Sequence, residues 1–137
     1  MQPPSSKSDA PDAGAPSSAP VIVVADDNAV LRLAARSILE RNGFQCLLAN
    51  DGQEAMALIQ QALPQAVILD LKMPNMDGFE VLRQMRSSEE MQKIPVLLVT
   101  GCRDPEVMAI GTRLGSEYMP KPFKPNELLV RLKRLLE

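Results

Sequence analysis

The sequence contains no histidine and no tryptophan, a single tyrosine and only two cysteines. Without histidine there is no Ser-His-Asp or Cys-His nucleophile and no ordinary zinc site. A phosphoryl group arriving from a phosphohistidine would therefore have to come from another polypeptide. Cys46 and Cys102 form no CxxC pair and have no metal-ligand spacing, so they read as two reduced thiols. No apolar run approaches the ~20 residues of a spanning helix or the ~7–15 of a signal h-region, so no membrane partner and a cytoplasmic location are expected. Excess charge is lacking too: 15 basic against 17 acidic residues leave a net −2, without the basic footprint of a nucleic-acid binder. At 137 residues the chain has room for one domain with a full core, and too little for two ordinary ones.

What is present is an alternation of strand and helix patterns. Residues 1–20 are built largely from Pro, Ser and Ala without apolar periodicity, and read as a disordered tail or linker. From Val21 onward, apolar runs at Val21–Ala25, Phe44–Ala49, Ala66–Asp70, Ile94–Thr100 and Tyr118–Met119 read as buried parallel strands. A helix over about 28–42 places Leu31, Ala34, Ala35, Ile38 and Leu39 on one apolar face, with Gly43 as its stop. A second, over 51–62, carries Ala55, Leu58 and Ile59, and a third, opened by Asp77-Gly78, turns Phe79, Val81, Leu82 and Met85 inward. Asp104-Pro105-Glu106 is a helix start with an acid at the cap, proline at N1 and an acid in the first turn. The last helix, from about Pro125, buries Leu128, Leu132 and Leu135, and Lys124 is a poor cap for it. The methionines, Met73, Met76, Met85, Met108 and Met119 among them, read as gap-fillers. Five βα units with right-handed crossovers predict an α/β fold, a doubly wound five-stranded parallel sheet with helices on both faces.

In such a sheet the ligand site lies outside the carboxyl ends of the strands. Asp26 and Asp27 close the first strand, Asp70 the third and Thr100 the fourth, and Lys121-Pro122 follows the fifth. Singly, each has a plain explanation as a helix cap, a loop residue or a solvated charge, and Tyr118 as core. Together they put three carboxylates, a hydroxyl and an ammonium on one rim. Three neighbouring carboxylates repel one another unless a cation intervenes. Mg²⁺ takes oxygen ligands and keeps waters while bridging to phosphate. Three acids against Mg²⁺ and Lys121 sum to zero, which leaves room for a phosphoryl group. Asp70 stands alone at its strand end as a candidate nucleophile for an acyl phosphate. The metal and the lysine would stabilise the transferring charge, and Thr100 would donate a hydrogen bond.

The segments VIVVADDN at 21–28, VILDLKMPNMDGFEVLRQMR at 67–86, IPVLLVTG at 94–101 and YMPKPF at 118–123 resemble the receiver domain of bacterial two-component response regulators. They span nearly all of residues 21–137, where a receiver domain is expected. The resemblance implies a strand order of 2-1-3-4-5 with five helices. It implies Asp70 as phosphoacceptor, and Asp26, Asp27, Asp70 and the Lys72 carbonyl as Mg²⁺ ligands. Lys121 would be the phosphoryl-binding cation after a cis Lys121–Pro122 bond, with Thr100 and Tyr118 as the switch pair. A histidine kinase or histidine phosphotransfer protein would donate the phosphoryl group, and a downstream protein would read the result. The domain would catalyse its own phosphorylation and dephosphorylation rather than act on an external substrate. Within this chain no DNA-binding module is read, so its own output is expected to be by protein contact, without direct nucleic-acid binding by this chain.

Several positions depart from the family pattern. Gly101 stands where Ala or Ser usually follows the switch threonine, and is expected to loosen that loop. Ser116-Glu117 leaves one residue fewer than usual between Gly115 and Tyr118. Lys72 and Cys102 flank the phosphoryl position, and neither is typical there. Lys72 is expected to crowd the hydrolytic water with its ammonium, a solvated lysine being the alternative. Two other functions compete: a phosphorylation-independent pseudo-receiver acting as a binding module, and a Mg²⁺-dependent phosphohydrolase. The second needs another acid beside the nucleophile, whereas Asp70 is followed by Leu71 and Lys72. A nucleotide-binding fold is disfavoured because no Gly-rich loop follows the first strand.

Overall fold

A computed structural model of the protein describes residues 19–137. The tail expected over residues 1–20 thus falls, but for its last two residues, outside the described residues. Those two belong to the packed unit: Ala19 is buried, and the Pro20 carbonyl accepts the Gln45 amide at 2.8 Å.

The elements run β1 (Val21–Ala25), α1 (Ala29–Glu40), β2 (Gln45–Ala49), α2 (Gly52–Ala62), β3 (Ala66–Asp70), α3 (Gly78–Arg86), β4 (Val96–Thr100), α4 (Pro105–Arg113), β5 (Glu117–Pro120) and α5 (Pro125–Leu135). The strands form one parallel sheet, the doubly wound arrangement that the pattern predicts, in the order β2-β1-β3-β4-β5 that the family resemblance implies. Side chains alternate across the pleat and divide the core into two layers. Ile22, Val24, Ala66, Ile68, Leu97 and Val99 pack with Ala35, Ile38 and Leu39 of α1 and Leu128 and Leu132 of α5. Val23, Ala25, Val67, Leu69, Val96 and Leu98 pack with Ile59 of α2 and Val81, Leu82 and Met85 of α3. Among the described residues, no helix is long and apolar enough to cross a membrane.

Helix starts follow local chemistry. Asn28 Oδ1 accepts the amides of Val30 and Leu31 to start α1. Asp51, Asp77 and Asp104 cap α2, α3 and α4 in the same way, Pro105 sitting at the first position of α4. Lys124 has no acceptor to offer α5, and the structure compensates in reverse: Glu127 Oε1 accepts the Lys124 amide at 2.9 Å. Gly43, at a φ of +91°, makes the stop predicted for α1.

Some sequence expectations need correction. Ala34 is exposed, because the buried stripe of α1 consists of Ala35, Ile38 and Leu39 and Ala34 lies off its flank. That helix ends at Glu40 rather than 42. β4 starts at Val96, after Pro95, whose missing amide cannot join the ladder. Two glycines are set by close approach: a Cβ on Gly78 would collide with the Asp70 carbonyl, and one on Gly52 with the Met76 carbonyl. Both contacts press the loop after β3 against its neighbours.

Candidate functional site

The parallel strands end together, and the expected residues gather at that rim. Asp26 is buried and held on every side. Its amide donates to the Ala49 carbonyl at 3.1 Å, and its Oδ1 accepts the Asn28 amide at 2.9 Å. Its Oδ2 takes the Lys121 ammonium at 2.8 Å, and its carbonyl accepts from Arg32 Nη1 at 2.6 Å. Asp70, 6% exposed, meets the same ammonium at 3.3 Å. Asp27 is exposed. One carboxylate oxygen from each of Asp26, Asp27 and Asp70 lies within 4.8 Å of the other two.

These distances set the electrostatics. Burial, then the charge of Asp26, pushes the Asp70 carboxyl up to about 6, against the opposing pull of Lys121. Burial alone would lower the Lys121 ammonium, but the hydrogen bonds and charges of Asp26 and Asp70 outweigh it and raise it. Three carboxylates against one ammonium leave a local excess of two negative charges. The excess, the converging oxygens and the raised Asp70 are what a divalent cation would relieve, and an all-oxygen donor set suits Mg²⁺. The residues present therefore fit that ion.

The other expected residues stand apart from the acids. By pleat alternation Asp26 and Asp70 lie on the α1/α5 side of the sheet, and Thr100 and Tyr118 on the α4 side. Thr100, 2% exposed, uses Oγ1 to accept the Cys102 amide at 3.1 Å. The Tyr118 hydroxyl donates to the Cys102 carbonyl at 3.2 Å. Both expected switch residues thus hold one residue, half-buried Cys102, by its backbone. Lys121 links the two sides: its amide donates to the Thr100 carbonyl at 2.9 Å, and Lys121–Pro122 is cis, as expected. Lys72 is exposed and has no hydrogen-bond or ion-pair partner among the described residues, the disposition of a solvated lysine.

Two contributors were not foreseen from the sequence. Arg32 reaches the Asp26 carbonyl, and Asn75, at a φ of +71°, donates to Asp51 Oδ2 at 2.9 Å. The second contact ties the loop after β3 to the cap of α2. A cation one turn into α1 was a readable signal for Arg32; for Asn75 only the Pro74-Asn75 turn composition was available. A groove of about 510 Å³ between α2 and α3 contains none of the rim residues and is open and mixed in polarity. Chemistry therefore places the site at the rim.

A five-stranded parallel sheet in this order, with three aspartates, a threonine, a tyrosine and a lysine along its carboxyl rim, defines the receiver class of signalling domain. The chain belongs to that family: the response regulator receiver domain model matches residues 22–133. Response regulator MprA from Mycolicibacterium vanbaalenii is 41% identical over 116 residues, covering 84% of this chain and 49% of that protein. MprA from Mycobacterium leprae is 39% identical over the same length. The chain thus spans about half the length of these curated relatives. Chemotaxis response regulator CheY4 of Vibrio cholerae superposes with a TM-score of 0.82 at 32% identity, over 87% of this chain and 100% of that one. The signal receiver domain of a histidine kinase from Syntrophus aciditrophicus gives 0.79 at 30%, over 86% and 90%.

Proposed function

We propose that this receiver domain accepts a phosphoryl group on Asp70 from a partner histidine kinase or histidine phosphotransfer protein, in a Mg²⁺-dependent reaction. The phosphorylated form then changes which proteins it contacts. The observation that carries this reading is the single ammonium, Lys121, lying between Asp26 and Asp70 beside a third carboxylate. The ion would be held by Asp26, Asp27 and Asp70 and, as the family resemblance implies, the Lys72 carbonyl; it supplies positive charge against the phosphoryl oxygens.

Asp70 attacks the donor's phosphorus, its O–P bond forming as the histidine N–P bond breaks. A carboxyl raised to about 6 is largely ionised at neutral pH yet more basic, hence more nucleophilic, than an ordinary aspartate. Lys121 exchanges its Asp70 contact for the phosphoryl oxygens without leaving Asp26. Thr100 turns its hydroxyl toward the same oxygens and gives up the Cys102 amide. Because Tyr118 holds the carbonyl of Cys102, that movement frees its ring to rotate into the space Thr100 vacates and repacks the face of α4, β5 and α5. Support for partner docking comes from α1, where Val30 and Leu33 are exposed within two turns of the acidic pair.

Beryllofluoride with Mg²⁺ mimics the phosphoryl group and separates this reading from a phosphorylation-independent pseudo-receiver. Amide resonances of the loops after β1, β3 and β4, and of β5, are expected to shift together. Resonances that stay in place would make the domain a passive binding module. Thr100→Ala is expected to accept phosphate at Asp70 while losing most of the shift at Tyr118.

A further inference from the structure

The start of α1 differs from those of the other helices. α2, α3, α4 and α5 each carry a glutamate in the first turn, Glu54, Glu80, Glu106 and Glu127, where the partial positive charge of a helix N-terminus favours an acid. α1 has no acid in its first turn, its cap is the neutral Asn28, and Arg32 stands one turn in. A cation there runs against the local rule, so its placement calls for a compensating contact. The contact exists. Helical side chains lean toward the N-terminus, and Arg32 reaches back over the cap to donate Nη1 to the Asp26 carbonyl at 2.6 Å in a part-buried setting.

That carbonyl belongs to the peptide joining Asp26 to Asp27. The Asp26 amide and both its carboxylate oxygens are fixed by Ala49, Asn28 and Lys121. Asp27 is exposed and takes no partner of its own among the described residues, so the preceding peptide is what aims its carboxylate. We propose that Arg32 is a positioning residue of the acidic cluster: by pinning the Asp26–Asp27 peptide it keeps the Asp27 carboxylate turned toward Asp26 and Asp70, pre-set for a divalent cation. This rests on the reading of the rim as a divalent-cation and phosphoryl site.

Charge and position have opposite signs here. If Arg32 acted through its charge, removing it would tighten cation binding; if it acts by holding the peptide, removing it loosens binding. Isothermal titration of Mg²⁺ into the intact chain decides between them. Arg32→Met is expected to weaken Mg²⁺ binding on the order of tenfold, the usual scale for groups that orient metal ligands. Arg32→Lys, which keeps a donor for the carbonyl, should recover most of the affinity. Arg36→Met removes a charge from the same helix, where Arg36 meets Glu40 at 4.0 Å, and should leave affinity at or slightly above the parent's. Thermal unfolding in EDTA checks that each variant folds, and Arg32→Leu, likewise without a donor, replaces the methionine variant if that one does not. An Arg32→Met or Arg32→Leu affinity equal to or tighter than the parent's would overturn the positioning role. A parent that itself fails to bind Mg²⁺ would overturn the reading of the rim instead.

Discussion

Helix α3 buries Gly78, Phe79, Val81, Leu82 and Met85, whereas α4, of the same nine-residue length, buries only Gly111. Their leading loops differ in the same sense. After β3, the Gly78 amide donates to the Leu71 carbonyl at 2.8 Å, and Asn75 straps the loop to Asp51. After β4, Gly101 has open space where a Cβ would go. The hydrogen bonds that tie this loop to its neighbours at the rim, among the described residues, are those of the Cys102 backbone, shared by Thr100 and Tyr118, and a long 3.4 Å contact from Arg103 to the Lys121 carbonyl. At its far end α4 is well anchored. Ser116 Oγ donates to the Gly111 carbonyl at 2.9 Å, and Arg86 donates to Leu114 and Ile94 carbonyls at 2.7 and 2.9 Å. The proposed acceptor unit is thus held throughout, and the proposed responding unit is held at one end. Nucleophilic chemistry needs fixed geometry, and a switch draws on an element of low local stability. On the proposed function, one sheet supplies both side by side.

The contrast breaks first under core truncation. Leu82→Ala, at a fully buried position, is expected to cost ~2–5 kcal/mol of stability. Ile110→Ala on half-buried α4 should cost about 1 kcal/mol. Urea unfolding of both variants reads the difference, and equal losses would remove the distinction. The two glycines come next. Gly78→Ala drives a methyl into the Asp70 carbonyl and should cost about 3 kcal/mol. Gly101→Ala should be neutral or stabilising by about 0.4–1 kcal/mol, because it restricts the unfolded chain and meets nothing when folded.

A third effect concerns the acceptor's charge. The folded Asp70 carboxyl sits above its unfolded value of 3.8, at about 6. Between those values the folded state binds more protons than the unfolded one, so this group makes stability fall as pH rises from about 4 to about 6. In EDTA the loss should be on the order of 2 kcal/mol, and Asp70→Asn should flatten it. Saturating Mg²⁺ should reverse the slope by favouring the ionised form. A parent whose stability in EDTA does not fall across that range would show that the rim relieves its own repulsion. The smallest effect belongs to Lys72. With its side chain in solvent, Lys72→Ala should leave the lifetime of phosphorylated Asp70 close to the parent's at saturating Mg²⁺. A several-fold shorter half-life would restore the crowding role that its sequence position suggested.

The sequence made the acceptor side more legible than the responding side, for a physical reason. Buried strands and the acids that end them leave composition and periodicity signals, so β1, β3 and their aspartates stand out. Side-chain bonds to distant backbone leave none. Arg86 on α3 reaches carbonyls of residues 92, 94, 114 and 115, and nothing in the spacing of an exposed-looking arginine announces that. Lys124 looked like a failed cap because the stabilising group, Glu127, acts backward from within the helix. Ala34 looked buried because it neighbours Ala35 in the apolar stripe, and only packing decides which of two adjacent alanines faces the sheet. That Thr100 and Asp70 lie on opposite sides of the pleat also follows from strand register, which periodicity alone does not supply.

Whether Asp70 is a Mg²⁺-dependent phosphoacceptor is decided by intact mass after incubation with a small-molecule phosphodonor such as acetyl phosphate. The expected result is a gain of one phosphoryl group with Mg²⁺, none in EDTA and none in Asp70→Asn, with the label mapping to Asp70 after borohydride reduction. Phosphorylation that persists unchanged in Asp70→Asn, or a parent that takes up no phosphoryl group with Mg²⁺ present, would contradict it.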